Sequence, residues 1–171
     1  STLVTISTAQ SAVTAGDVDL GTTQLTATTA GTDLTIDVSR DQQQGGTVTL
    51  GQVNNAGGQY LNDLTVKLFT AAETGTTQTA GVLKLTGDVK LDGTTTDAGS
   101  LVVTGGSAGT TALTRRGQVQ VVPDALNASS TLVTISTAQS AVTAGDVDLG
   151  TTQLTATTAG TDLTIDVSRD Q

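Results

Sequence analysis

The sequence predicts an all-β chain wound as a parallel β-helix, a solenoid. Three observations lead there: a long exact repeat, a shorter degenerate repeat inside it, and alternation of apolar and polar residues wherever apolar residues cluster. Residues 1–42, STLVTISTAQSAVTAGDVDLGTTQLTATTAGTDLTIDVSRDQ, recur letter for letter as residues 130–171. The offset is 129 residues, so residues 1–129 make one full period and 130–171 begin the next, a continuous array without separate domains. Self-similarity at a fixed spacing is the mark of stacked repeat architectures. The chain begins at Ser in mid-pattern with no basic-then-apolar leader, so a signal peptide is expected to lie outside it. It reads as a window of a longer array; the alternative is an engineered duplication.

Composition agrees with strands. The chain is 36% hydrophobic but only 1% aromatic, with Tyr60 and Phe69 the sole rings. Its apolar residues are mainly Val, Leu and Ala, mixed with Thr and 20 Gly. Branching at Cβ suits a pleated surface and restricts χ1 in a helix, while Gly serves the turns. Pro123 follows Val121-Val122 and should end a strand or sit on an edge.

In chain order the elements are short. Val4-Thr5-Ile6 opens, with Val4 and Ile6 inward; Val18-Asp19-Leu20 follows, with Val18 and Leu20 inward. Leu34, Ile36 and Val38 then face one way and Thr35, Asp37 and Ser39 the other. Val48 and Leu50 are the inward pair of the next strand, and Leu64, Val66 and Leu68 of the one after. Val89 with Leu91, Leu101 with Val103, and Val119 with Val121 complete the candidate core of the period. Spacing by two is a strand signal, and no sustained 3.6-residue pattern competes with it. GQVNNAGGQ, TAAETGTTQTAG, DGTTTDAGS and GGSAGTT lie between these runs and read as loops.

The runs fall into two types. The first recurs at Val4, Leu34, Leu64, Leu101 and Val133, at steps of 30, 30, 37 and 32 residues. The second recurs at Val18, Val48, Val89, Val119 and Val147, at steps of 30, 41, 30 and 28. Each period is therefore expected to hold about four coils of roughly 32 residues. One coil is too thin to bury its inward residues; stacking coils at about 4.8 Å makes a continuous core. Narrow aliphatic ladders explain the scarcity of rings. The alternative, tandem β-sandwich domains, would bury more aromatic residues. Stacking predicts an outward ladder of Asp19, Thr49, Lys90, Gln120 and Asp148, with no like charges adjacent, and Asp37 beside Lys67. The exception is Asp33, which would lie directly over Asp63.

GDVKLDGTTTDAGSLVVTGG and GTDLTIDVS resemble the repeat regions of giant bacterial surface proteins, including filamentous-haemagglutinin-like adhesins and autotransporter passengers. The resemblance spans nearly the whole chain and is one of pattern and composition. It implies a right-handed parallel β-helix exported to the cell surface, working in adhesion, coating, motility or matrix. It carries over no catalytic motif, and the GGxGxD nonapeptide of calcium-binding secreted toxins is absent.

The chemistry available is sparse. Net charge is −9 with 7 Lys plus Arg, which disfavours nucleic acid and acidic membranes as partners, and no apolar run is long enough to span a bilayer. With no His and no Cys, the usual nucleophile–base pairs cannot be assembled, and disulfides are excluded. The expectation is that the chain is not an enzyme; the remote alternative is a polysaccharide-cleaving β-helix. Oxygen-rich pairs offer the one cofactor candidate, calcium, with Asp33 and Asp63 as the candidate ligands. Asp17 with Asp19 reads better as a solvated face, and Asp92 with Asp97 as an ordinary turn. Asn127-Ala128-Ser129 matches a glycosylation acceptor by coincidence of pattern, and Arg115-Arg116 is the only basic pair. The expected function is an extracellular, cell-surface structural or adhesive fibre, acting by reach, stiffness and multivalent contact. Its expected partners are further copies of the repeat, surface glycans or other cells. The alternative is a cation- or glycan-binding repeat module.

Overall fold

The computed structural model describes residues 2–8, 15–39, 45–53, 61–68, 81–91, 99–105, 118–122, 132–137 and 145–167. These form thirteen strands and no helix: β1 (Thr2–Ser7), β2 (Val18–Leu25), β3 (Thr32–Asp37), β4 (Thr47–Val53), β5 (Leu61–Lys67), β6 (Val82–Leu85) and β7 (Val89–Lys90), followed by β8 (Leu101–Thr104), β9 (Gln118–Val121), β10 (Leu132–Ser136), β11 (Val147–Asp148), β12 (Gln153–Ala156) and β13 (Asp162–Asp166). Every pairing among them is parallel. Parallel pairing at loop-sized spacing, without crossover helices, is a β-solenoid; antiparallel sandwich domains are ruled out.

The strands make three stacks. The first runs β1-β3-β5-β8-β11. The larger sheet divides at β4: Thr47–Leu50 carries β2 on one side and β6, β9 and β12 on the other, while Val53 pairs with Leu25 of β2 and leads to β7, β10 and β13. Each coil thus has three strand segments. From β1 to β8 the chain completes about 3 turns, and β11 adds a shorter pairing, Val147↔Leu101 and Asp148↔Val102.

Inside the coils the apolar residues stand in columns. Val4, Leu34, Leu64, Leu101 and Val147 succeed one another in the first stack, as do Ile6, Ile36, Val66 and Val103. Leu20, Leu50, Leu85 and Val121 run through the second, and Leu25, Val53, Val89 and Ile135 through the third. Ile36, Val38, Val48, Leu50, Leu64, Val66, Leu68, Val89, Leu91, Leu101 and Val119 are fully enclosed; Val18, Leu34, Val103 and Val121 are buried. Burying a Val, Leu or Ile side chain is worth about 1.5–3 kcal/mol, and a neighbour above and below each one supplies that burial.

Several expectations need correction. Val4 is 47% exposed because β1 has a strand on one side only, and Ile6 and Leu20 are only partly buried. Gly51-Gln52-Val53 belongs to β4, not to a loop. The outward ladder of the second stack runs Asp19, Thr49, Lys84, Gln120, Thr155, so Lys84 replaces Lys90 and Thr155 replaces Asp148. Lys90 belongs to the third stack, which two strand types per coil do not anticipate. For the same reason the fourth step of the first stack leads from Leu101 to Val147 and not to Val133, whose strand β10 closes the previous coil on the third face. Asp37 does lie beside Lys67. Pro123 lies outside the described residues.

The corners explain how coils stay in contact. A Cβ on Gly51 would come within 2.6 Å of the Thr23 carbonyl oxygen, and one on Gly87 within 3.0 Å of the Gly51 carbonyl carbon. Likewise a Cβ on Gly46 would collide with the Gly16 carbonyl, and one on Gly81 would lie 2.5 Å from the Gly46 carbonyl oxygen. Two columns of glycine therefore turn the chain where no side chain fits between coils.

Candidate functional site

The polar residues with defined partners gather where strands begin and end. Asp17, Asp33, Asp63 and Asp88 each immediately precede an inward residue at or near the start of a strand. From there each carboxylate reaches the next coil. Asp17 Oδ1 accepts the Thr47 backbone N–H at 2.7 Å, Asp63 Oδ1 accepts that of Ser100 at 2.9 Å, and Asp88 Oδ1 that of Thr134 at 2.8 Å. Asp33 Oδ1 accepts the Asn62 side-chain amide at 2.8 Å and, more weakly, the Asp63 backbone N–H at 3.4 Å. In the first stack the chain of contacts continues with the Ser100 hydroxyl, which accepts the Asp146 N–H at 3.2 Å. The result is a polar seam linking coils beside the apolar columns.

A second group of aspartates acts within a coil. Asp19 Oδ1 accepts the Gly21 N–H at 2.9 Å, Asp37 Oδ1 that of Ser39 at 3.0 Å, and Asp148 Oδ1 that of Gly150 at 2.7 Å. An aspartate bonding the backbone two residues on is an Asx turn, which ends the straight segment. Asp37 also accepts the Ser39 hydroxyl at 2.6 Å.

The structure brings the expected pair Asp33 and Asp63 onto successive coils, but not as a simple like-charge stack. The register shifts between Thr32 and Leu34, so that Thr32 lies opposite Leu61 and Leu34 opposite Leu64. The extra residue places Asn62 against the Asp33 carboxylate, and the Asp63 carboxylate turns to the following coil. The Asn62 amide chiefly meets the Asp33 carboxylate and the Ser100 backbone N–H the Asp63 carboxylate, a role that spacing alone does not reveal and that competes with a cation. Among the described residues no cluster of three or more metal-ligating side chains forms. Asp17 and Asp19, expected as one solvated face, divide their work: one bonds the next coil, the other its own turn. Ser100 and Asp88 have no place among the candidates drawn from the sequence; the signal that could have found them is an acid or hydroxyl placed just ahead of a strand's inward residue. Asp92, Asp97, Arg115, Arg116 and Asn127 lie outside the described residues.

This arrangement holds strands together. It defines the class of the chain by architecture, a parallel β-solenoid of tandem repeats. No protein-family model, no curated protein and no solved structure matches it. Among the described residues no helix is long and apolar enough to cross a membrane.

Proposed function

We propose that the chain is a segment of an extracellular structural or adhesive fibre, with a role of reach, stiffness and multivalent contact. The observation that carries this reading is the continuity of the apolar columns through successive coils, within a sequence whose 129-residue unit begins again letter for letter. Such a column has no natural end: each coil presents the next with the same kind of edge, and repetition lengthens a rod without new design. The acidic balance, −9 overall, keeps a long polymer soluble. A weak surface contact recurring once per period gains avidity from number. The resemblance to giant surface repeats supports placement outside the cell, with further copies, surface glycans or other cells as partners.

The test is an array series of one, two and four periods displayed on inert beads and presented to cells and to a glycan panel. Capture that rises more steeply than period number supports the adhesive reading. Rods of increasing length with no capture would reduce the role to scaffold or coat, and failure to form rods would refute the fibre itself. A chelator arm addresses the cation-binding alternative: unchanged melting in EDTA is expected, because the Asn62 side-chain amide and the Asp63 backbone N–H donate to Asp33, and the Ser100 backbone N–H to Asp63.

A further inference from the structure

Residues 132–136 repeat residues 3–7, yet the two segments occupy different stacks. Thr2–Ser7 begins the first stack, whereas Leu132–Ser136 lies in the third, on Val89 and Lys90. The following segments shift in the same sense. Val18–Leu20 sits in the second stack and its copy, Val147–Leu149, contributes β11 to the first; Thr32–Asp37 lies in the first and its copy, Thr161–Asp166, contributes β13 to the third. Several local features recur in both copies, although Val18–Leu25 is one continuous strand while its copy divides into β11 and β12 around Gly150, whose φ is positive. β1 pairs with β3 in the register Leu3↔Asp33, and β10 with β13 in the equivalent register Leu132↔Asp162. Thr8 donates to the Gly16 carbonyl at 2.7 Å and Thr137 to that of Gly145 at 2.8 Å. Thr32 donates to the Thr29 carbonyl at 2.8 Å and Thr161 to that of Thr158 at 2.9 Å. The same 30-residue step and the same threonine contacts are thus set on different faces.

From these registers we infer that the sequence period and the coil period are out of phase by one face, so that each motif occurring once per period is displayed on all three faces of the solenoid in turn. Going from β1 to β10 takes about three and two-thirds turns. Three periods therefore span about eleven coils, roughly 53 Å at the strand spacing, before a motif returns to its first face. An array built this way carries each motif along a spiral. A flat surface along one side meets the same motif only once in three periods. Each face offers the copy an aliphatic residue to stack on: Leu101 under Val147, Val119 under Leu154 and Val89 under Ile135. This inference stands on the registers alone and survives if the fibre proves not to be adhesive.

Disulfide trapping in the 171-residue chain, which contains no cysteine, tests it. Adjacent parallel strands bring paired Cα atoms within disulfide range. The double variant V102C/D148C pairs outward positions of the first stack, and Q120C/T155C pairs those of the second. If the copies instead stacked in phase with the sequence, Val102 would face Thr134 and Gln120 would face Asp148, and V102C/T134C and Q120C/D148C would cross-link. The expected result is near-complete oxidation of the first two pairs and little of the second two, read by mass shift. Efficient cross-linking of V102C/T134C or Q120C/D148C overturns the inference. So does failure of both expected pairs in protein that keeps the wild-type circular dichroism. Two pairs on different faces guard against one variant that does not fold.

Discussion

At the scale of single residues, two kinds of side chain hold the coils together, and they fail differently. Ile36 is fully buried between Ile6 and Val66 in neighbouring coils. Ile36→Ala should cost about 2–5 kcal/mol, the range for truncating a large core aliphatic, and Ile36→Asp should abolish cooperative unfolding because it buries a charge without a partner. Urea midpoints measure both; a wild-type midpoint for Ile36→Asp would place that face outside the core. Asp63 acts through an acceptor oxygen. Asp63→Ala leaves the Ser100 N–H without its carboxylate and should cost about 1–3 kcal/mol. Asp63→Asn keeps an acceptor oxygen and should lose clearly less. Equal losses for Ala and Asn would mean that charge, and not the inter-coil hydrogen bond, is what matters at this position.

At the scale of elements, alternation makes most strands legible. Spacing by two is enough to assign Leu34, Ile36 and Val38 inward against Thr35, Asp37 and Ser39, and to do the same for Leu64, Val66 and Leu68; all six inward residues are buried. What alternation does not reveal is which stack a strand joins. β7 is two residues long and follows β6 after three residues; in the sequence a single run, Val89-Lys90-Leu91, therefore stands in for both the second and the third stack. The strand that belongs over Thr47–Leu50 is Val82–Leu85, hidden beside a more regular neighbour. The Asp33–Asp63 register escapes alternation for a related reason. A one-residue shift between Thr32 and Leu34 leaves the inward pattern intact while changing which polar groups meet, and only the polar seam registers it. Corners carry information that alternation lacks. Gly51→Ala puts a methyl group against the Thr23 carbonyl, where backbone and not a flexible side chain must give way. It should lower the melting temperature by several degrees, consistent with about 1–3 kcal/mol for overpacking. An unchanged melting curve would show that the coils are looser at this corner than the stacked glycines indicate.

At the scale of the whole molecule, the solenoid is legible because the repeat at about 30 residues fixes a coil, and because a chain almost without aromatic residues suits a narrow aliphatic interior. The coil count is legible only as far as Leu101, where the steps of 30, 30 and 37 residues coincide with the observed pairings. Beyond it the identical sequence invites the assumption that identical segments share a face. Three strand segments per coil break that assumption: a 129-residue unit that does not fill a whole number of coils must rotate its copy. The central claim, that these periods form one continuous parallel solenoid, is tested most directly by the axial rise per period, measured by cryo-electron microscopy of a chain with several periods. About three and two-thirds coils per period at the strand spacing gives a rise of about 18 Å. A string of separate globular domains of this size would instead repeat at roughly 35 Å or more, and that spacing, or the absence of a strand-spacing layer line along the rod axis, would contradict the account.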